Sequence, residues 1–141
     1  MKTDIKKLIL KDIKTAYATL NSTDEDIVLN ELASALKNEI KLVIFYNDKL
    51  NDNEKIKLAK KLHQLCSIYN ALFLVCFRAD IAKIIDSDGI FLDNNSISVH
   101  QALEIISKEK FIATNYEDDN SDLIIGVNLN DSDCENKIFR I

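Results

Sequence analysis

Four short apolar runs constrain this chain more than any other feature. They are "KLVIFY" (Lys41–Tyr46), "ALFLVCF" (Ala71–Phe77), "DGIFLD" (Asp88–Asp93) and "KFIATN" (Lys110–Asn115). Each is brief, rich in β-branched and aromatic residues, and apolar almost without alternation, which is the signature of a strand buried on both faces. Between them lie stretches with helical periodicity. The helix over residues 53–69 carries Ile56, Leu58, Ala59, Leu62, Leu65 and Cys66 on one side; "ADIAKIID" is a shorter helix and "SVHQALEIISK" (Ser98–Lys108) a third. Upstream, "TAYATL" (Thr15–Leu20) reads as a first strand. Ile27, Leu29, Leu32, Ala33, Ala35 and Leu36 make a helix after it, with Ser22 or Thr23 as its N-cap. Strands alternating with helices predict βαβ units and a parallel sheet covered on both faces.

The two ends differ from this core. "TDIKKLILKDIK" (Thr3–Lys14) has Ile5, Leu8, Ile9 and Ile13 at helical spacing, an extra N-terminal helix over residues 1–14. Residues 116–141 are an irregular tail. It holds an acidic loop ("YEDDNSD"), a strand in "LIIGVNL" (Leu123–Leu129), a turn in "NDSDCEN" and a last short strand in "KIFRI". The tail has no room for helical crossovers, so its strands are expected to pair antiparallel. No linker or low-complexity tract divides the chain, and residues 1–141 form one expected domain.

Composition removes several function classes. A net charge of −5 with no basic patch disfavours nucleic acid and anionic membranes. No apolar run is long enough to span a bilayer, and the start lacks the continuous apolar stretch of a signal peptide, so the cytoplasm is the expected compartment. There is no proline, and glycine occurs only at Gly89 and Gly126. Neither GxGxxG nor GxxxxGK[ST] can be spelled, which excludes the common glycine-rich phosphate loops. Cys66, Cys76 and Cys134 form no metal-ligand spacing; the first two read as buried small hydrophobes and Cys134 as exposed. His63 is expected at solvent or the core edge. His100, near a helix start after the fourth strand, is the better catalytic candidate of the two, though no nucleophile–base pair can be assigned. The acidic tail lacks the spacing of a calcium loop and reads as solvated.

From Tyr17 to Asn115 the order and spacing of elements resemble thiamine phosphate synthase and the related thiazole tautomerase. The segment "FRADIAKIIDSDGIFLDNNSISVHQALEII" is similar to the family pattern N-D-R-x-D-I-A, then A-D-G-V-H-L, then a helix starting V-x-x-A. Arg78, Asp80, Ile81, Ala82, Asp88, Gly89, Leu92, Val99 and Ala102 fall on matching positions. Much of the match is architectural: Gly89 suits a tight start to a buried strand, and Asp80 can cap the short helix or pair with Arg78. The resemblance implies a TIM-barrel-like α/β fold. Family members are barrels of about 200 residues, so this chain is expected to form an incomplete barrel of five to six strands, or a sheet opened into three layers.

The resemblance also implies where chemistry should sit, and there the residues depart from it. The family's Gln, Arg and Lys on strand two, which hold a pyrimidine diphosphate, correspond to Ile44, Tyr46 and Asp48. Its Asn-Asp on strand three, for the pyrimidine and magnesium, corresponds to Cys76-Phe77. Its second magnesium aspartate falls near Ser96, with Asp93 close by, and its strand-five Ser near Asn115. The later glycine-rich phosphate loops have no counterpart. The expected reading is therefore a synthase-like protein without synthase catalysis, acting as a small-ligand-binding or assembly module tied to thiamine metabolism. A ligand would meet Tyr46, Phe77, Arg78, Asp80, Asp93 and Asn115 at the barrel mouth. No cofactor is expected, and magnesium only if synthase activity survives. Two alternatives stand beside this: an active enzyme of thiamine biosynthesis or of altered chemistry through Arg78, Asp80 and Asp93, and a purely structural interaction module. An incomplete barrel leaves open sheet edges. Flattening of the sheet with the tail strands "LIIGVNL" and "KIFRI" closing an edge, pairing of two copies or docking of a protein partner, or cover from the N-terminal helix would each protect them.

Overall fold

The apolar runs pair side by side because only a neighbouring strand can satisfy backbone N–H and C=O groups that both faces hide from water. A computed structural model describes residues 10–126 and 137–140. Its elements run β1 (Thr15–Leu20), α1 (Glu25–Lys37), β2 (Leu42–Tyr46), α2 (Asp52–Ile68), β3 (Leu72–Cys76), α3 (Ala79–Ile84), β4 (Gly89–Leu92), α4 (Val99–Ile106), β5 (Phe111–Thr114), β6 (Leu123–Ile124) and β7 (Lys137–Arg140). The sheet order is β6-β5-β4-β3-β2-β1-β7. Strands β1 to β6 are parallel, and together they make a curled half-barrel.

That sequential order decides where the helices go. A right-handed crossover to the next strand always returns over the same side, so α1 to α4 all lie on one face. Val28, Leu32, Leu58, Leu62, Ile81, Val99 and Ala102 from these helices join Val43, Phe45, Phe73, Val75, Ile90, Leu92 and Ile112 in one core. The alternate strand positions build a second core on the inner face from Ala16, Ala18, Leu42, Ile44, Leu74, Cys76, Phe91 and Ala113. Both faces are buried, as the continuous runs require, but the described helices cover only one. On the other, Ile13 and Leu10 pack against the inner core. The N-terminal segment thus reaches the side that the crossovers leave bare; residues 1–9 of the expected helix lie outside the described residues.

The tail departs from expectation. The two tail strands do not pair with each other: they occupy opposite edges. Strand β6 is parallel to β5, with Ala113 beside Leu123 and Thr114 beside Ile124. Strand β7 runs antiparallel to β1, with Ala18 beside Lys137 and Thr15 beside Arg140. A parallel pair without a helical crossover is feasible here because β6 is two residues long and is anchored by side chains. Ser121 Oγ donates to Leu123 O at 2.9 Å. Asp122 accepts from Ile112 N at 2.8 Å and returns its own N–H to Ile112 O at 2.8 Å. The same device starts β4. Ser87 Oγ donates to Gly89 O at 2.8 Å, Asp88 Oδ2 accepts from Phe73 N at 2.8 Å, and Asp88 N donates to Phe73 O at 3.1 Å. The strand expected to reach Leu129 stops at Ile124; residues 127–136, with the expected turn and Cys134, and Ile141 lie outside the described residues.

Local signals account for the helix ends. Asn51 and Glu54 form a capping box on α2, and Ser98 and Gln101 another on α4. Helix α1 is capped by Asp24, which accepts from Ile27 N at 3.2 Å, rather than by Ser22 or Thr23. Asp80 lies inside the first turn of α3, and the cap position is Arg78 with no side-chain cap bond. Neither glycine has positive φ; that backbone is carried by Asn21, Asn70 and Asp86, side chains that tolerate it, and also by Glu39, Phe77 and Ser107. Gly89 serves close approach instead: a Cβ there would stand 2.0 Å from Phe111 O. No described helix is long and apolar enough to cross a membrane.

Candidate functional site

The C-terminal ends of β2 to β5 form the mouth of the half-barrel, the end where TIM-barrel loops carry function. The loop after β2 is firmly tied there. Buried Asn47 donates through Nδ2 to Ser22 O at 2.8 Å, and its Oδ1 accepts from Lys49 N and Leu50 N at 2.9 and 3.0 Å. Asn21 Oδ1 accepts from Asp48 N at 2.8 Å. These bonds fix Tyr46 and Asp48 at the rim, where Tyr46 OH donates to Asp48 Oδ2 at 3.3 Å.

Behind Tyr46 the mouth is aromatic. Its ring meets Phe77 edge to face, centroids 5.7 Å apart, and Phe77 lies 6.1 Å from Phe91. Phe77 adopts φ 65°, a left-handed conformation rare for a bulky residue and better suited to Asp or Asn. Its N–H donates to Phe91 O at 2.9 Å, which holds the strained turn in place. The backbone therefore keeps a turn that favours a short polar residue, while the side chain is a phenyl ring.

A cavity of about 160 Å³ opens beside this turn, lined by Tyr46, Asp48, Lys55, Cys76, Phe77 and Arg78 among others. Arg78 is engaged on two sides. Its Nε and Nη2 donate to Asp80 at 3.0 and 2.9 Å, and its Nη1 and Nη2 donate to Asp52 at 3.0 and 3.1 Å. The guanidinium holds both carboxyls below their ordinary value, and the two acids push Arg78 further up. The inner wall is uncharged. Burial, then Asp93, pushes the Cys76 thiol well up. Burial, then Asp48, raises the Tyr46 phenol, and Asp93 adds to it.

Asp93 and Asn115 end the neighbouring strands without lining this cavity. Asp93 Oδ1 accepts from Ser96 Oγ at 2.7 Å and from Asn95 N at 3.0 Å, while Asn115 N donates to Leu92 O at 3.3 Å. Asp93 also helps raise the phenol of Tyr116, after burial and Asp118. The magnesium centre that the resemblance implies does not fit these residues. Phe77 has no donor, the Cys76 thiol stays protonated, and Asp93 is left as a lone carboxylate already engaged by Ser96 and Asn95. Among the described residues no group of three or more His, Cys, Asp or Glu could hold a metal.

The structure thus brings Tyr46, Phe77, Arg78 and Asp80 together and leaves Asp93 and Asn115 on adjacent strand ends. Asp52, Lys55, Asn21 and Asn47 complete the site and were not singled out from the sequence; the Asn51–Glu54 capping-box pattern at the start of α2 is the signal that could have placed Asp52 there. The histidines lie elsewhere. His63 is at the core edge, stacked on Phe73 at 5.5 Å with Nε2 3.5 Å from Asp88 Oδ2. His100 is exposed, pairs with Glu104 at 3.0 Å, and lines a separate cavity of about 440 Å³ with Leu103, Lys110 and Ile112 beside β5. Cys66 is buried under α2, and burial pushes its thiol up to about 12.

Comparison with known proteins places this geometry in context. The family model described as thiamine monophosphate synthase matches residues 16–130. A thiamine-phosphate synthase of Nostoc punctiforme is 31% identical over 111 residues, covering 77% of this chain and 32% of that protein. One of Campylobacter jejuni is 34% identical over 95 residues, covering 67% of this chain and 45% of that protein. Among solved structures, a thiamine phosphate pyrophosphorylase from Pyrococcus furiosus aligns with a TM-score of 0.60 at 24% identity, over 69% of this chain and 48% of that one. That last likeness speaks for the fold. The chain spans a third to a half of the length of these relatives.

Proposed function

The chain belongs to the thiamine monophosphate synthase family, and from that premise we propose that it has lost the synthase reaction and binds a small heterocycle at the strand-end cavity, without magnesium and in the cytoplasm. The observation that carries this reading is Arg78. A guanidinium that serves a phosphate needs a free pair of N–H groups. Here four Arg78 donor contacts go to Asp52 and Asp80, so an anion would have to compete with two carboxylates already held on the guanidinium. Asp48 at the rim adds repulsion where the family resemblance places a lysine. The replaced metal donors at Cys76 and Phe77 support the same conclusion.

Incubation of the purified protein with the pyrimidine diphosphate and the thiazole phosphate, with magnesium, tests it. No thiamine phosphate should form by chromatography. Product formation that disappears in Arg78→Met would establish the alternative, an active enzyme of thiamine biosynthesis.

A second reading, assembly with another copy or another protein, draws on the β5–β6 side. The residues between these strands form no helix, and Ile105 and Ile124 are exposed there, at 41% and 46%. The β1 edge is occupied by β7, which becomes the outer strand there and carries exposed Ile138. This reading takes the β6 side, where the outer strand is only two residues long. Light scattering during size-exclusion chromatography should report a dimer that Ile124→Lys converts to monomer; a wild-type monomer would leave only a heterologous partner for this side.

A further inference from the structure

We infer that the helix side of the β5–β6 pair is a docking slot for an amphipathic helix of another polypeptide, lying antiparallel to β5 with bases in its first turn and acids in its last. The inference rests on the assembly reading of this side and names the partner that its helix face takes. Each parallel step from β1 to β5 is bridged by one helix on the same face, α1 to α4 in turn. The step from β5 to β6 is bridged by residues 115–122, which form no helix. The next position in that layer is therefore open beside α4, and the cavity of about 440 Å³ lies there. Its apolar surface is of the kind that a helix stripe covers elsewhere in the layer. Leu103 of α4 is half-buried against the core beneath the helices, and Ile112 of β5 belongs to that core. Leu123 and Ile125 turn to the inner face, so Ile124 between them turns to the helix side, where it is 46% exposed.

Charge sets the direction of the helix. The ionisable groups that line the cavity are His100, Lys108, Lys110 and Asp122. His100 pairs with Glu104, Lys110 pairs with Asp86, and Asp122 accepts from Ile112 N. Lys108 has no such partner among the described residues. It lies between the end of α4 and the start of β5, the end of the sheet where a helix oriented like α1 to α4 would finish. The open carbonyls of a last turn, and acids on that turn, would meet its ammonium group. At the other end, Glu117 and Asp119 are exposed on the loop that leaves β5 at the mouth. They stand outside the cavity lining and bear only on the first turn, whose partial positive charge and bases they attract. This order of charges points away from a second copy. Helices α1, α2 and α3 each carry acids in the first turn, and α4 is itself a wall of the slot.

Three alanine-based peptides of about 18 residues, long enough to be helical on their own, separate these contributions. Two share one leucine stripe and differ only in charge order, lysines first and glutamates last or the reverse. The third keeps the first order and has glutamine in place of the stripe. In fluorescence-anisotropy titrations at low salt, the striped helix with lysines first should bind about fivefold more tightly than its reverse. The stripe-free helix should not bind. Lys108→Glu, at an exposed loop position, should abolish the preference between the two charge orders while leaving the urea midpoint unchanged. Chemical-shift changes should centre on Leu103, Ile112 and Ile124, and a spin label on the peptide N-terminus should broaden Glu117 and Asp119 before Lys108. Equal binding of the two charge orders, or binding of the stripe-free helix, would overturn this inference and leave the assembly reading standing. Silence from all three peptides with a dimeric protein would give the slot to a second copy and overturn this inference alone. Silence with a monomeric protein would overturn both, since neither a second copy nor a helix would then cover this side.

Discussion

The two ends of the half-barrel use their polar side chains in opposite ways. At the N-terminal ends of the strands, Asp88 and Asp122 each accept a backbone N–H from the preceding parallel strand, and the serine before each donates to a strand carbonyl. At the mouth, Arg78 donates to Asp52 and Asp80, and Tyr46 donates to Asp48. The first arrangement holds sheet register through backbone groups that would otherwise lie unsatisfied. The second holds side chains only, at exposed or half-exposed positions where ion pairs contribute little to stability; the backbone of the mouth is tied separately, by buried Asn21 and Asn47. The scaffold therefore does not depend on the charged cluster, which can change while the strands stay paired. The β5–β6 unit sharpens the lesson, because the Ser-Asp clamp is the same whether the crossover is helix α3 or a loop.

The largest expected effect lies where the strand starts are tightest. Gly89→Ala drives a Cβ into Phe111 O and should destabilise the fold by about 3 kcal/mol or more. A near-normal urea midpoint would break the view that β4 starts at a point of closest approach. Next, Asp88→Ala leaves Phe73 N, in a fully buried residue, without its acceptor and should cost about 2 kcal/mol. Asp88→Asn keeps an acceptor and should recover most of that. Asp122→Ala removes the same clamp at an edge strand two residues long, so about 1 kcal/mol is expected. If Asp122→Ala proved the costlier change, the clamp would not be the feature that holds these strands.

The mouth should respond least. Arg78→Met is expected to shift stability by less than about 1 kcal/mol at neutral pH, since the side chain is 36% exposed. Its signature lies in acid. Asp52 and Asp80 are held below their ordinary value of 3.8 by Arg78, so their contribution is complete above that value and is lost as pH falls through the lowered folded value. Urea midpoints between pH 2.5 and 6 should therefore fall more steeply for the natural chain than for Arg78→Met. Parallel curves would show that the three-residue cluster is not formed in solution.

The strands and helices of the parallel core were legible because their signals are local. Apolar runs and helical spacing need no knowledge of distant residues, and Arg78 and Asp80 are near neighbours in sequence; Gly89 was read as a tight strand entry, whereas its close approach is to Phe111 O on the next strand. The Ser-Asp clamps escaped notice although "SDGI" and "SDLI" repeat openly. Their partners are backbone groups, Phe73 N and Ile112 N, which no residue type advertises. The tail strands do add to the sheet edges, as expected, but their antiparallel pairing with each other was misjudged for a related reason: edge strands are placed by whichever unpaired edge lies within reach, and β5 and β1 offered opposite ones.

By itself, the amino-acid order determined the alternation of strands and helices and the two-sided burial of the sheet. Both follow from the character of single residues and short runs. Only the tertiary structure supplied the second partner of Arg78. Its pairing with Asp80 is local and was expected, whereas Asp52 precedes it by 26 positions and meets it because β2 and β3 are neighbours whose following loops share one end of the sheet. The arginine is thereby the centre of a three-residue cluster, since the effective charge of a side chain depends on the partners that fold around it.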